Sequence, residues 1–245
     1  LTGEIKNLTW NDNHDEIVNN QLYSCLETSC NVVYKVTGYN SGTVMIVQPI
    51  SYSSNSLLSA QTNTTDSTIK IKLDSWYKTN LISYASYLED TTFCSDRSIT
   101  SGTGYKIDSY TFYGAYNRLQ NNKTPSLKCA QENDKFKVSS TNAKLDYPVG
   151  LILADEIALA GGKSDSANSN YYLYNGKWYW SFSPSTFYSG LSSVRIWLVA
   201  SSGSLYPWGY VVNSEGVRPV INLKQNVTIS KGDGSSINPF AVSDK

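Results

Sequence analysis

The segment Val194-Arg195-Ile196-Trp197-Leu198-Val199 decides the fold class of this chain. It is rich in the β-branched and aromatic residues that favour strands, and Ser- and Gly-containing segments bound it on both sides. Similar short runs precede and follow it, which predicts that the C-terminal third is a set of short antiparallel strands. These runs are residues 171–174, 178–182, 209–212 and 217–223.

Two helices are predicted upstream of these strands. Asp66-Ser67 offers an N-cap to residues 68–81, in which apolar residues (Ile69, Leu73, Trp76, Tyr77, Leu81) recur near the 3.6-residue period of a helix. The second helix follows the apolar run 149–153, opens on Asp155-Glu156, and ends at Gly161-Gly162. Two helices with many short strands predict an α+β class. Residues 1–44 are predicted to add an N-terminal β-meander, either as a subdomain or as part of one domain with residues 45–245.

The composition favours an extracellular protein with an uncharged polar surface. The 20 basic residues balance the 20 acidic ones, and only 16% of residues are charged, so nothing indicates binding to nucleic acid or to an anionic membrane. Tyr occurs 19 times against 6 Phe and 6 Trp. Because a buried hydroxyl needs a partner, this excess of Tyr predicts half-exposed rings on a surface, as in antibody paratopes.

Four cysteines indicate disulfides and an oxidising compartment. Cys25, Cys30, Cys94 and Cys129 show no CxxC spacing, which argues against zinc. The predicted pairs are Cys25 with Cys30 and Cys94 with Cys129, because neighbours in sequence close the shortest loops. The other two connectivities, and four free thiols, are left open as alternatives.

Three motifs in the C-terminal half resemble the closing signature of a bacterial family. They are Tyr179-Trp180-Ser181-Phe182-Ser183-Pro184, then Val194-Arg195, then Gly216-Val217-Arg218-Pro219-Val220-Ile221. The family is similar to the formylglycine-generating-enzyme-like branch of the C-type-lectin-like fold, and the resemblance covers about residues 45–224. It implies a C-type-lectin-like α+β fold and a secreted or cell-surface protein of gut Firmicutes. Because some members carry a prepilin-like anchor, an export signal or membrane anchor is expected upstream of Leu1.

The same fold carries the variable proteins of diversity-generating retroelements. That resemblance implies a variable zone before the closing motif, here residues 185–214, whose Ser, Tyr, Trp and Asn content suits such a zone. We expect a non-catalytic site for a protein or glycan ligand, with clustered exposed rings as binding anchors. The candidate binding residues are Tyr188, Arg195, Tyr206, Trp208, Tyr210 and Asn213. Trp180 is expected in the core, and Arg218 is expected to bond loop carbonyls and hold the binding loops.

Other functions have weaker signals. The only histidine is His14, and no cysteine follows Cys129, which argues against a catalytic triad and against formylglycine-generating activity. Asp155-Glu156 is expected to cap a helix rather than to act as an acid–base pair. No cofactor is expected, with a structural Ca²⁺ at Asp12, Asp15 and Glu16, or at Asp233, as an alternative. A self-packing pilin-like or fibre ectodomain is the alternative function, and the oligomeric state stays open.

Overall fold

The computed structural model describes residues 35–36, 46–47, 63, 66–102, 110–188, 193–211, 213–232, 238–239 and 241–244. These residues combine helices with antiparallel sheets, which agrees with the predicted α+β class. Among the described residues, no helix has the length and apolarity needed to cross a membrane.

The described helices are short except for the first. The α-helices are α1 (Thr68–Asn80), α2 (Gly114–Tyr116) and α3 (Ala154–Leu159). A 3₁₀ segment follows α1 at Ile82–Tyr87, a π-helical segment extends α2 at Asn117–Asn122, and a second 3₁₀ turn covers Glu132–Asp134.

Both predicted helices are present, with the predicted signals at their ends. Ser67 caps α1, since its hydroxyl accepts a hydrogen bond from the Lys70 N–H at 3.0 Å. Glu156 caps α3 by accepting from the Leu153 N–H at 2.8 Å, and Gly161 ends this helix with a φ of 116°. The prediction that Trp76 belongs to the buried face of α1 was wrong. Its side chain is 37% exposed, because it lies beside the buried stripe formed by Ile69, Leu73 and Tyr77.

Eleven strands are described, most of them short. In chain order they are β1 (Lys35–Val36), β2 (Ile46–Val47), β3 (Phe93–Cys94), β4 (Ile99–Ser101), β5 (Tyr110–Tyr113), β6 (Lys135–Phe136), β7 (Tyr179–Tyr188), β8 (Ser193–Val199), β9 (Leu205–Tyr210), β10 (Val227–Lys231) and β11 (Ala241–Asp244). The main sheet has the antiparallel order β4-β5-β7-β8-β9. Three two-stranded sheets pair β1 with β2, β3 with β6, and β10 with β11.

Strand β8 separates two hydrophobic clusters, because its side chains alternate between the two faces of the sheet. Val194, Ile196 and Leu198 join α1 on one face, which we call the α1 face. Trp197 and Val199 join α3 and the α2 region on the other, the α3 face. This double burial explains why β8 is an almost continuous apolar run.

Two of the three motifs of the closing signature meet through a backbone hydrogen bond, and the remaining one, Val194-Arg195, pairs with Thr186 and Phe187 just after the first motif. The Trp180 N–H donates to the Gly216 carbonyl at 2.9 Å, and Gly150 and Val220 exchange bonds at 2.9 and 3.0 Å. Gly216 is needed for this approach, because a Cβ there would lie 2.7 Å from the Trp178 carbonyl oxygen. The hydroxyl of Ser183 accepts from the Ala154 N–H and so satisfies the start of α3.

The structure confirms one disulfide and corrects two strands. Cys94 is bonded to Cys129 with Cα atoms 5.8 Å apart, as predicted. Residues 171–174, predicted as a strand, form turns, since their apolar content packs a loop against α3. Residues 217–223 make isolated bridges at Val220 and Leu223 rather than a strand, because their partners lie in different segments. β1 lies inside the predicted N-terminal meander and pairs with β2, which begins just after the predicted end of the meander at residue 44. Cys25, Cys30 and the rest of the meander lie outside the described residues.

Candidate ligand-binding surface

A guanidinium group lies at the centre of the most aromatic part of the main sheet. Arg195 projects from β8 on the α3 face and is 8% exposed. Its guanidinium carbon lies 4.9 Å from the ring centroids of both Trp208 and Tyr210, and 5.5 Å from that of Tyr110. Arg195 also donates a hydrogen bond to the Tyr210 hydroxyl at 3.0 Å. These contacts fix the orientation of rings from two different strands.

Further rings extend this group across the sheet. Phe112 lies 5.8 Å from Tyr110 and 4.5 Å from Tyr116, measured between ring centroids. Tyr116 in turn makes an edge-to-face contact with Trp208, with ring centroids 5.5 Å apart. We call this set the aromatic surface; it comprises Arg195 with Tyr110, Phe112, Tyr116, Trp208 and Tyr210.

The aromatic surface is accessible although it is firmly held. Tyr210 is 41% exposed, and Tyr110, Phe112, Tyr116 and Trp208 are half-buried. Burial raises the pKa of the Tyr116 hydroxyl, which therefore stays protonated at neutral pH. The rings offer apolar faces and the phenols offer hydrogen bonds, so the arrangement can stack on sugar rings or hold an apolar protein loop.

A bulge in β9 decides which rings reach this surface. Ile196 pairs with Gly209 but Leu198 pairs with Tyr206, so two β9 residues, Pro207 and Trp208, stand opposite the single residue Trp197. One extra residue shifts the alternation, which turns the side chains after it to the opposite face. Proline suits the position because it has no backbone N–H, and a bulged residue does not have to donate a hydrogen bond to the neighbouring strand.

The predicted set of binding residues is therefore divided by the structure. Arg195, Trp208 and Tyr210 come together, but Tyr206 lies before the bulge, packs against the α1 face and contacts the half-exposed Trp178 at 5.6 Å. Arg195 is buried beneath the rings rather than offered to a ligand, because its stem leaves β8, which is flanked by β7 and β9. Asn213 is exposed in the turn after β9, where its N–H donates to the Tyr210 carbonyl. The side chain of Tyr188 lies outside the described residues, although its backbone pairs with Tyr110.

Three contributors were missed from the sequence. Tyr110, Phe112 and Tyr116 lie in and after a segment whose strand character was not recognised. The signal was the alternation in β5, where Tyr110 and Phe112 are half-buried while Thr111 and Tyr113 are buried. A strand of four residues after a polar stretch gives too short a pattern to be distinguished from coil.

The two residues expected to be structural have structural contacts. Trp180 is 2% exposed in the core on the α1 face. Arg218 donates to the Leu173 carbonyl at 2.6 Å and lies over the Tyr179 ring at 4.6 Å. It thus ties the closing motif to the loop between α3 and β7.

The expected variable zone is largely interior. Residues 194–200 are all buried, and Thr186 and Phe187 are buried as well. Within residues 185–214 the described surface consists of Ser201 and Ser202 in the turn before β9, the half-buried Tyr206 and Trp208, and Tyr210 with the loop residues after it. Fewer residues of this zone are therefore available for recognition than its composition predicts.

Three aspartates of the described residues cluster around a buried lysine. Asp66, Asp74 and Asp146 lie close together, but the buried Lys70 ammonium is 3.2, 2.6 and 2.6 Å from them. Burial alone would lower the pKa of Lys70, yet the hydrogen bonds to Asp146 and Asp74 outweigh it and raise that pKa. This cluster is an ion network that already contains its cation.

The residues suggested for structural calcium, Asp12, Asp15, Glu16 and Asp233, lie outside the described residues, as does His14. Asp155 does not form an acid–base pair with Glu156. Its carboxylate accepts two hydrogen bonds from Arg118, at 2.9 and 2.8 Å, and one from the Ser126 N–H. Glu156 thus caps α3 as expected, whereas Asp155 connects the start of α3 to Arg118 and Ser126.

Comparison with known proteins gives no independent guide to the function, because no family model, no curated protein and no solved structure matches this chain.

Proposed function

We propose that this chain is a non-catalytic, secreted or cell-surface ligand-binding protein, and that the aromatic surface is its binding site. The single observation that carries the proposal is the half-exposed aromatic surface ordered by Arg195. Exposed rings that are already fixed lose little side-chain entropy on binding, which is why they serve as anchors. The ligand in this proposal is a protein or a glycan outside the cell.

The proposal includes a C-type-lectin-like fold. What supports it is the order of elements, with α1 and α3 preceding the Trp-rich strands, and the hydrogen bond between Trp180 of the first closing motif and Gly216 of the last. The disulfide between Cys94 and Cys129 is compatible with an extracellular location.

The proposal also covers diversification of the site. Because residues 194–200 are buried, substitutions there would damage the core, so a diversified chain must vary at exposed positions. Sequences from several strains should therefore differ at Trp208, Tyr210 and Asn213 and agree at Ile196 and Trp197. A nearby reverse transcriptase gene with a near-copy of the segment encoding residues 185–214 would be the matching genomic feature.

Binding can be tested with two variants of the same strand. We expect Trp208→Ala/Tyr210→Ala to abolish binding to glycan arrays and fixed epithelial cells, because it removes two rings of the aromatic surface. Tyr206→Ala is the matched control, since Tyr206 lies on the opposite face. Thermal unfolding followed by circular dichroism checks that each variant is folded. Equal loss in the control, or full binding by the double variant, would remove the site assignment.

A further inference from the structure

A cavity of about 380 Å³ lies apart from the aromatic surface, between the end of the π-helical segment, the turn after α3 and the start of β9. Its volume is within the range typical of sites for small molecules. The residues that line it are Leu119, Lys123, Pro125, Ala158, Gly162, Lys163, Ser164, Ser166 and Leu205.

The backbone around this cavity is well fixed. The Leu205 N–H donates to the Lys163 carbonyl at 2.9 Å, and the Asp165 N–H donates to the Leu205 carbonyl at 3.3 Å. Lys123 adopts a left-handed conformation with a φ of 55°, and its N–H bonds the Arg118 carbonyl. The cavity is therefore formed by ordered turns that meet on the end of a sheet strand.

The lining combines an apolar part with a cationic part. Leu119 and Leu205 are buried and Pro125 and Ala158 are half-buried, which supplies the apolar part. The cationic part comes from the exposed Lys123 and Lys163, with the hydroxyls of Ser164 and Ser166 beside them.

The two lysines of this cavity have no ion-pair partner among the described residues. Neither Lys123 nor Lys163 takes part in an ion pair with any of them. Asp155 is paired with Arg118, whereas the Gln120 amide that donates to Asp165 is neutral, so Asp165 offsets part of the positive charge. A ligand that enters the cavity thus meets two lysines without ion-pair partners next to an apolar wall.

We propose that this cavity binds a small organic anion with an apolar body, such as an aromatic or aliphatic carboxylate or sulfonate. The apolar body would cover Leu119 and Leu205, and the anionic group would lie between Lys123 and Lys163. A partly enclosed apolar wall lowers the local dielectric constant, which strengthens attraction to the lysines relative to open solvent. This site is separate from the aromatic surface and does not depend on the proposed function.

Two fluorescent probes of similar shape test this site. The first is 8-anilinonaphthalene-1-sulfonate, and the second is N-phenyl-1-naphthylamine, which has the same rings without the sulfonate. We expect the wild-type chain to bind the sulfonate more tightly in fluorescence titrations at low salt. In Lys123→Gln/Lys163→Gln the Kd for the sulfonate should rise about fivefold, as expected for two exposed ion pairs, while the Kd for the neutral probe should not change.

Two controls make the result specific. Lys72→Gln/Lys177→Gln removes the same net charge at exposed positions away from the cavity, and should bind both probes as wild type does. Trp208→Ala should also leave the sulfonate titration unchanged. The proposal is overturned if the wild-type chain does not prefer the sulfonate, if both lysine pairs have equal effects, or if Trp208→Ala abolishes probe binding.

Discussion

At the residue scale, Arg195 explains why exposed rings on this sheet are ordered. Its guanidinium is buried, and no carboxylate of the described residues forms an ion pair with it. The negative faces of Tyr110, Trp208 and Tyr210 supply the electrostatic partner instead, together with the Tyr210 hydroxyl. In the proposed binding site, Arg195 is therefore a positioning residue that would act on a ligand through the rings.

Replacing Arg195 tests this role. We expect Arg195→Met to weaken ligand binding about tenfold, because rings that Arg195 no longer holds must be ordered on binding, at a cost of roughly 0.5–1.5 kcal/mol per side chain. The stability should change little, since an apolar side chain of similar volume replaces a buried charge. Binding titrations and urea unfolding measure the two effects separately. Arg195→Lys should recover part of the affinity; full affinity in Arg195→Met would contradict the positioning role.

At the element scale, the bulge in β9 determines which of its side chains lie on the face that carries the proposed site. Without it, strict alternation would place Trp208 and Tyr210 on the same face as Tyr206, toward the core around α1. The large rings would then have to enter a cluster that is already filled, for example by Ile196 and Leu198.

Changing the residue count at the bulge tests this dependence. Deletion of Pro207 removes the extra residue and places Trp208 directly opposite Trp197, so a regular ladder keeps Trp208 and Tyr210 on the α3 face. We therefore expect the deletion variant to retain ligand binding. Pro207→Ala keeps the residue count and the bulge, and it should retain binding as well. Loss of binding by a deletion variant whose melting temperature shows that it is folded would contradict the idea that the register with β8 sets the direction of these rings.

At the scale of the whole molecule, the disulfide and a buried ion pair hold the same corner. Cys94 and Cys129 close a loop of 35 residues that contains β4, β5 and α2. Close to Cys94 in the chain, Arg97 and Asp134 pair at 2.6 Å with 1% exposure of each side chain, and the Arg97 N–H also donates to Asp134. This corner carries Tyr110, Phe112 and Tyr116 of the aromatic surface.

Removing the disulfide should therefore lower both stability and binding. For Cys94→Ser/Cys129→Ser we expect a loss of roughly 3–4 kcal/mol in the free energy of unfolding, from the loop entropy of the denatured chain. Urea unfolding with and without a reductant measures it, and the reductant should have a smaller effect on the variant than on the wild-type chain, because only the predicted Cys25–Cys30 bond remains in the variant. A wild-type chain whose unfolding midpoint does not move on reduction would contradict a stabilising role for this bond.

The sequence by itself determined the elements whose signals are local. Ser67 and Gly161 mark helix ends by their own chemistry, and β8 is long and apolar enough to be recognised as a strand. The pairing of Cys94 with Cys129 also followed from short-loop reasoning. The sequence places Tyr206, Trp208 and Tyr210 in one aromatic segment, but it does not show on which face of the sheet each side chain lies. The side-chain direction after Pro207 depends on the register with β8.

Only the tertiary structure decided the composition of the aromatic surface. Tyr110 reaches Arg195 because β5 pairs with β7 across more than seventy residues of chain, as the pairing of Tyr110 with Tyr188 shows. Such pairing is set by burial on both faces of the sheet, to which the whole chain contributes, and no local pattern encodes it. The burial of Arg195 and the bulge at Pro207 have the same origin, since both depend on which strands flank β8.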